Sequence, residues 1–103
     1  MYTIDLSGKT GVVFGVANEY SIAWAIARIL HQAGTRLAIS YQNERFSERF
    51  ARLTESMKDV LHLECDVAQD ESIVAAFERI KQEFGTLDFV VHSIAYADRE
   101  DLM

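Results

Sequence analysis

Short apolar runs alternate along this chain with longer stretches in which apolar residues recur every three or four positions. Val12-Val13-Phe14, closed by Gly15, is a run of the kind a strand buried on both faces requires, and it predicts a first strand from Thr10 to Gly15. From Ser21 the pattern becomes Ile22 to Ala27, then Ile29, Leu30 and Ala33, and it ends at Gly34. That is a helix with a serine cap and a glycine stop, apolar around most of its circumference. Leu37-Ala38-Ile39 predicts a second strand from Arg36 to Tyr41, and Asn43 then offers a side-chain cap to a helix with Phe46, Phe50, Leu53 and Met57 on one face.

Val60 to Asp66 mixes Val60, Leu61 and Leu63 with His62 and Glu64, which predicts a third strand at a sheet edge. Asp70 is expected to cap a third helix that carries Ile73, Phe77, Ile80 and Phe84 on one face and stops at Gly85; Leu87 to His92 supplies a fourth strand. Crossovers between parallel strands are right-handed, so this alternation predicts an α/β fold: the amino-terminal portion of a Rossmann-like, doubly wound parallel sheet in the order 3-2-1-4. The first two helices then cover one face of the sheet and only the third covers the other. Strand four is left as an open edge although Phe89, Val90 and Val91 read as interior residues, so an apolar cover is expected there.

Composition changes this picture little. The 103 residues fit one small domain, half of them are hydrophobic, and no repeat, proline or low-complexity tract marks a linker. The formal net charge of -6 offers no basic surface for nucleic acid or anionic membranes. Cys65 is the single cysteine and reads as a small buried apolar residue, which with the absence of a signal-like start points to the cytoplasm. His31, His62 and His92 share no spacing that suggests a metal site or a general base, so no metal is expected.

In this topology a ligand crosses the carboxyl ends of the strands, where the strand order switches between strands one and four. Four segments converge there: Gly15 to Ile22, Tyr41 to Asn43, Cys65 to Val67, and His92 to Ala97. The first is a strand-to-helix turn where a pyrophosphate meets a helix amino terminus, although no second or third glycine completes the usual dinucleotide fingerprint. A plain capped helix at Ser21 and a plain helix-entry residue at Asp66 are the structural alternatives.

The same four segments resemble a particular family. Gly15-Val16-Ala17-Asn18-Glu19-Tyr20-Ser21-Ile22-Ala23, Tyr41-Gln42-Asn43, Cys65-Asp66-Val67 and His92-Ser93-Ile94-Ala95 are similar to the corresponding segments of enoyl-acyl-carrier-protein reductases, a divergent branch of the short-chain dehydrogenases. The generic branch carries a glycine-rich turn and an Asn-Asn-Ala-Gly strand end instead. The resemblance implies that Gly15, Ser21 and Ile22 form the pyrophosphate turn, that Gln42 neighbours the adenosine ribose, and that Asp66 and Val67 clamp adenine. It further implies that Ser93, Ile94 and Ala95 line the cofactor and that Ala97 looks onto the acyl substrate.

The implied activity is hydride transfer from NADH to the β-carbon of a trans-2-enoyl thioester in fatty-acid elongation, on acyl-carrier-protein or coenzyme A substrates, in a homotetramer. NADPH is disfavoured because Gln42 stands where NADPH enzymes usually place a basic residue. Relatives carry two tyrosines and a lysine for the chemistry, and by resemblance these lie beyond position 103. No catalytic residue is therefore assigned, residues 1–103 are read as the dinucleotide-binding part of one domain truncated before the catalytic segment, and alone they are expected to be inactive. Asp98-Arg99-Glu100 departs from the proline and glycine that many relatives have after the alanine. Two rival readings are a ketone-reducing short-chain enzyme and a non-catalytic nucleotide-binding fragment.

Overall fold

The computed structural model describes residues 4–16, 20–57 and 59–93. Four parallel strands form one sheet in the order β3-β2-β1-β4, with β1 at Thr10–Phe14, β2 at Arg36–Tyr41, β3 at Leu61–Glu64 and β4 at Phe89–His92. This is the predicted doubly wound order. Three helices connect the strands: α1 (Ile22–Gln32), α2 (Ser47–Leu53) and α3 (Asp70–Phe84).

Alternation along the central strands sorts the core into two clusters. Val13, Leu37 and Ile39 meet Ala23, Trp24 and Ala27 of α1 and Phe50 of α2 on one face. On the other face Val12, Phe14, Ala38 and Leu63 meet Ala76 and Ile80 of α3. Each fully buried side chain of this size is worth about 1.5–3 kcal/mol. Coverage is uneven as expected, but the exposed residue at the β4 edge is Val90, 48% exposed on the α3 side, whereas Phe89 and Val91 are half-buried under the other face. Val74 and Phe77 of α3 are also exposed.

Helix ends follow the sequence with two differences. Ser21 caps α1, its hydroxyl accepting from the Trp24 amide at 3.2 Å. Asn43 caps only a 3-10 turn at Glu44–Phe46; α2 then begins at Ser47 and ends at Leu53, so Met57 reaches the core from the following turn rather than from the helix. Asp70 is the first residue of α3 and not its cap, a place taken by Gln69 with no side-chain bond. The reason is local: the turn before α3 is already closed by Asp66, whose carbonyl accepts from the Gln69 amide at 2.9 Å.

Candidate functional site

Parallel pairing brings the carboxyl ends of all four strands to one rim. Phe14 pairs with His92, and the Ser93 amide donates to the Phe14 carbonyl at 3.1 Å, which sets Ser93 beside the Gly15 turn. Tyr41 pairs with Glu64, and the Cys65 amide donates to the Tyr41 carbonyl at 2.8 Å, so Gln42 and Asp66 leave the sheet side by side. Across the rim the order is Asp66 and Val67, then Gln42, then Gly15, then Ser93, with about 4.8 Å between neighbouring strands.

Gly15 has φ +105°, a backbone conformation that L side chains rarely adopt, so the turn after β1 requires glycine for its own geometry. Beyond it, the first turn of α1 holds no acidic residue, and the amino end of a helix carries the positive end of its dipole. The Trp24 amide is taken by Ser21, while helix geometry turns the first amides of α1 out of the helix. Ile22 stands 72% exposed at this position.

On β2 and β3 the rim is held by side chains bonded to backbone. A Glu64 carboxylate oxygen accepts from the Glu44 amide at 3.2 Å and Asn43 Oδ1 from the Arg45 amide at 3.0 Å, which fixes the turn that carries Gln42. Asp66 Oδ1 accepts from the Ala68 amide at 3.0 Å, and Ser72 Oγ accepts from the Asp66 amide at 2.9 Å. Asp66 is thus a turn-former whatever else it does, in keeping with its structural alternative. Gln42 itself is exposed.

Titratable groups near the rim are explained by packing. Burial pushes the Cys65 thiol up, against a lowering hydrogen bond from Ser72, which makes it an inert buried thiol. Burial also raises the Tyr41 phenol, with Glu64 and Glu44 adding to the shift. His62 sits on the α2 side of the edge, its ring edge-on to Phe50 at 4.9 Å and its Nε2 3.1 Å from Thr54 Oγ1; partial burial holds its pKa below the usual imidazole value. Ile94, Ala95 and Ala97 lie outside the described residues. Gly15, Ser21, Ile22, Gln42, Asp66, Val67 and Ser93 do come to one rim.

The family profile of enoyl-(acyl carrier protein) reductase matches residues 15–103, the stretch that holds every segment of this rim. The chain belongs to the enoyl-acyl-carrier-protein reductase family. It is 50% identical over 99 residues to the NADH-dependent enoyl-acyl-carrier-protein reductase of Bacillus cereus, covering 94% of this chain and 39% of that protein. To the Enterococcus faecalis NADH enzyme it is 50% identical over 97 residues, with 94% and 38% covered. The chain therefore spans about two-fifths of the length of the relatives it matches.

Solved members of the family superpose closely. The Bacillus cereus reductase with NADP+ and indole naphthyridinone gives a TM-score of 0.88 at 50% identity, with 96% of this chain and 39% of that one covered. The Anaplasma phagocytophilum reductase in complex with NAD gives 0.89 at 40% identity, with 98% and 38% covered. The family thus extends the same four-stranded arrangement into a longer chain. The residues that sequence reading overlooked are Ser72 and Glu64, which hold the rim, and Asp88, which anchors the start of β4 at the opposite end of the sheet. The only local signal was a serine three positions into a helix, a spacing at which side chains reach back to preceding amides.

Proposed function

We propose that residues 1–103 form the cofactor-binding part of an NADH-dependent enoyl-acyl-carrier-protein reductase. The observation that carries this reading is the convergence of Gly15, Ser21, Ile22, Gln42, Asp66, Val67 and Ser93 on one rim, in the order a dinucleotide would meet them, within a chain 50% identical to a reductase named for NADH. When bound, reduced nicotinamide supplies a hydride for the β-carbon of a trans-2-enoyl thioester.

The chain's own residues fit such a ligand. Gly15, without a side chain, admits a pyrophosphate against the amino terminus of α1, whose first turn holds no acid and where Ser21 and Ile22 stand. Gln42 lies beside the adenosine ribose and offers amide groups but no positive charge to a 2′-phosphate. Asp66 and Val67 flank adenine, one polar and one apolar, while exposed Ile22 packs against the ligand. Ser93 would line the cofactor at the end of β4; for Ile94 and Ala95 the same role, and for Ala97 a role toward the acyl substrate, rest on the family resemblance alone.

The proposal includes an acyl-carrier-protein thioester substrate, supported by the relatives' names, and with it a coenzyme A alternative, a homotetrameric assembly and a cytoplasmic setting. Among the described residues no helix is long and apolar enough to cross a membrane. The test is NADH oxidation by the intact protein that carries this chain, with and without a trans-2-enoyl thioester. Thioester-dependent oxidation is expected, and no turnover from residues 1–103 alone. Failure of the intact protein to bind NADH overturns the reading.

A further inference from the structure

We infer that Ser72, in the first turn of α3, is a positioning residue for the adenine half of the cofactor site, acting through the Asp66–Val67 turn. The inference rests on the cofactor reading above and goes beyond it in naming a residue that does not itself touch the ligand. Four hydrogen bonds make the case. Ser72 Oγ accepts from the Asp66 amide at 2.9 Å, and the Ser72 amide donates to the Gln69 carbonyl at 3.0 Å. The Gln69 amide donates to the Asp66 carbonyl at 2.9 Å, and the Ala68 amide to Asp66 Oδ1 at 3.0 Å.

The backbone of Asp66 is therefore held at both its N–H and its carbonyl, and its carboxylate is held by the next turn of chain. Only one of these bonds reaches from a separate element: Ser72 belongs to α3, whose Ala76 and Ile80 are locked into the sheet core. That bond transmits the position of a rigid helix to a two-residue turn at the sheet rim. A site is accurate when the residues that touch a ligand are fixed by neighbours that do not.

Removing the hydroxyl leaves the Asp66 amide without its acceptor, and the turn relaxes while the distant nicotinamide side of the rim, at Ser93, keeps its ladder bond to Phe14. The effect should be confined to the adenine half. The experiment compares the intact protein with its Ser72→Ala and Ser72→Thr variants, using NADH and reduced nicotinamide mononucleotide, which lacks the adenosine half, as alternative hydride donors. Ser72→Ala should raise KM for NADH about tenfold with kcat within about twofold, the scale of one lost partly buried hydrogen bond. Its kcat/KM with the mononucleotide should be unchanged. Ser72→Thr, which keeps the hydroxyl, should restore KM for NADH to within about threefold of the parent.

Equal losses with both donors would assign Ser72 a general folding role and overturn the inference, as would an unchanged KM for NADH. If Ser72→Ala does not fold, the threonine variant decides: a normal mononucleotide rate with normal NADH KM supports the hydroxyl's role, and a KM for NADH raised as far as a lost bond predicts overturns it. A parent protein that oxidises neither donor would instead defeat the cofactor reading itself.

Discussion

The ring of Phe89 lies across the α-carbon of Gly11, its register partner on the neighbouring strand. A β-carbon at position 11 would run into the ring's Cδ2, Cε2 and Cζ atoms, and β1 is an inner strand whose backbone is hydrogen-bonded to β2 on one side and β4 on the other. Gly11 is thus a packing glycine within a strand rather than a turn residue. Gly11→Ala should destabilise the protein by about 1–3 kcal/mol, the range for forcing extra volume into a filled core. Urea unfolding of Gly11→Ala and of the Gly11→Ala/Phe89→Ala pair checks this: the double variant should lose less than the two single losses added together.

Gly15 makes a second, sharper demand. Its φ of +105° costs any other residue backbone strain of about 1–3 kcal/mol, in addition to crowding a ligand at the α1 amino terminus. Gly15→Val should lower thermal stability and abolish NADH binding. Calorimetry that finds NADH affinity unchanged would leave Gly15 with a structural role only.

Cofactor choice turns on Gln42, which offers no charge to a 2′-phosphate, while Arg45 is the basic residue next along the chain. The intact protein should prefer NADH in kcat/KM, and Gln42→Arg should shift the ratio toward NADPH by about tenfold, the worth of one charge-assisted hydrogen bond. Steady-state rates with both cofactors decide it. A clear NADPH preference in the parent would defeat the assignment.

Asp88 anchors the start of β4 to the start of β1. It accepts from the Thr10 amide at 2.7 Å and from the Thr10 hydroxyl at 3.3 Å, and the backbone bond, ahead of the influence of Lys9, holds its carboxyl below the usual value of 3.8. A carboxylate with a lowered folded-state pKa contributes stability that is present above the unfolded value and is lost as pH falls through the folded one. Thermal melts should therefore show Asp88→Asn less stable than the parent at neutral pH, with the gap closing below pH 3.8. A gap that stays constant down to strongly acidic pH would show that the carboxylate charge contributes nothing.

Thr35 offers an improvement. Its side chain is 2% exposed, and its hydroxyl has no hydrogen-bond partner among the described residues. Thr35→Val keeps the shape and removes the unsatisfied group, so it should stabilise by about 1 kcal/mol. A melting temperature at or below that of the parent would mean the hydroxyl finds a partner in solution.

The fold class, the strand order and the segments that form the rim follow from the pattern of residues along the chain. Val12 to Phe14, Leu37 to Ile39 and the three-and-four spacing of Ile73, Phe77 and Ile80 are local signals, and the handedness of parallel crossovers then leaves little freedom in how they assemble. The four rim segments are legible for the same reason, since each follows a strand of predicted direction; singling out Gly15, Gln42, Asp66 and Ser93 within them rests on the family resemblance. What those residues rest on emerges from packing between elements. The Ser72 bond to Asp66, the Glu64 bond to Glu44 and the Phe89 ring over Gly11 join elements through register and side-chain reach, neither of which periodicity contains. The cap of α3 likewise passed from Asp70 to Gln69 because the preceding turn had already closed on Asp66, a competition between neighbouring hydrogen bonds that residue propensity alone does not resolve.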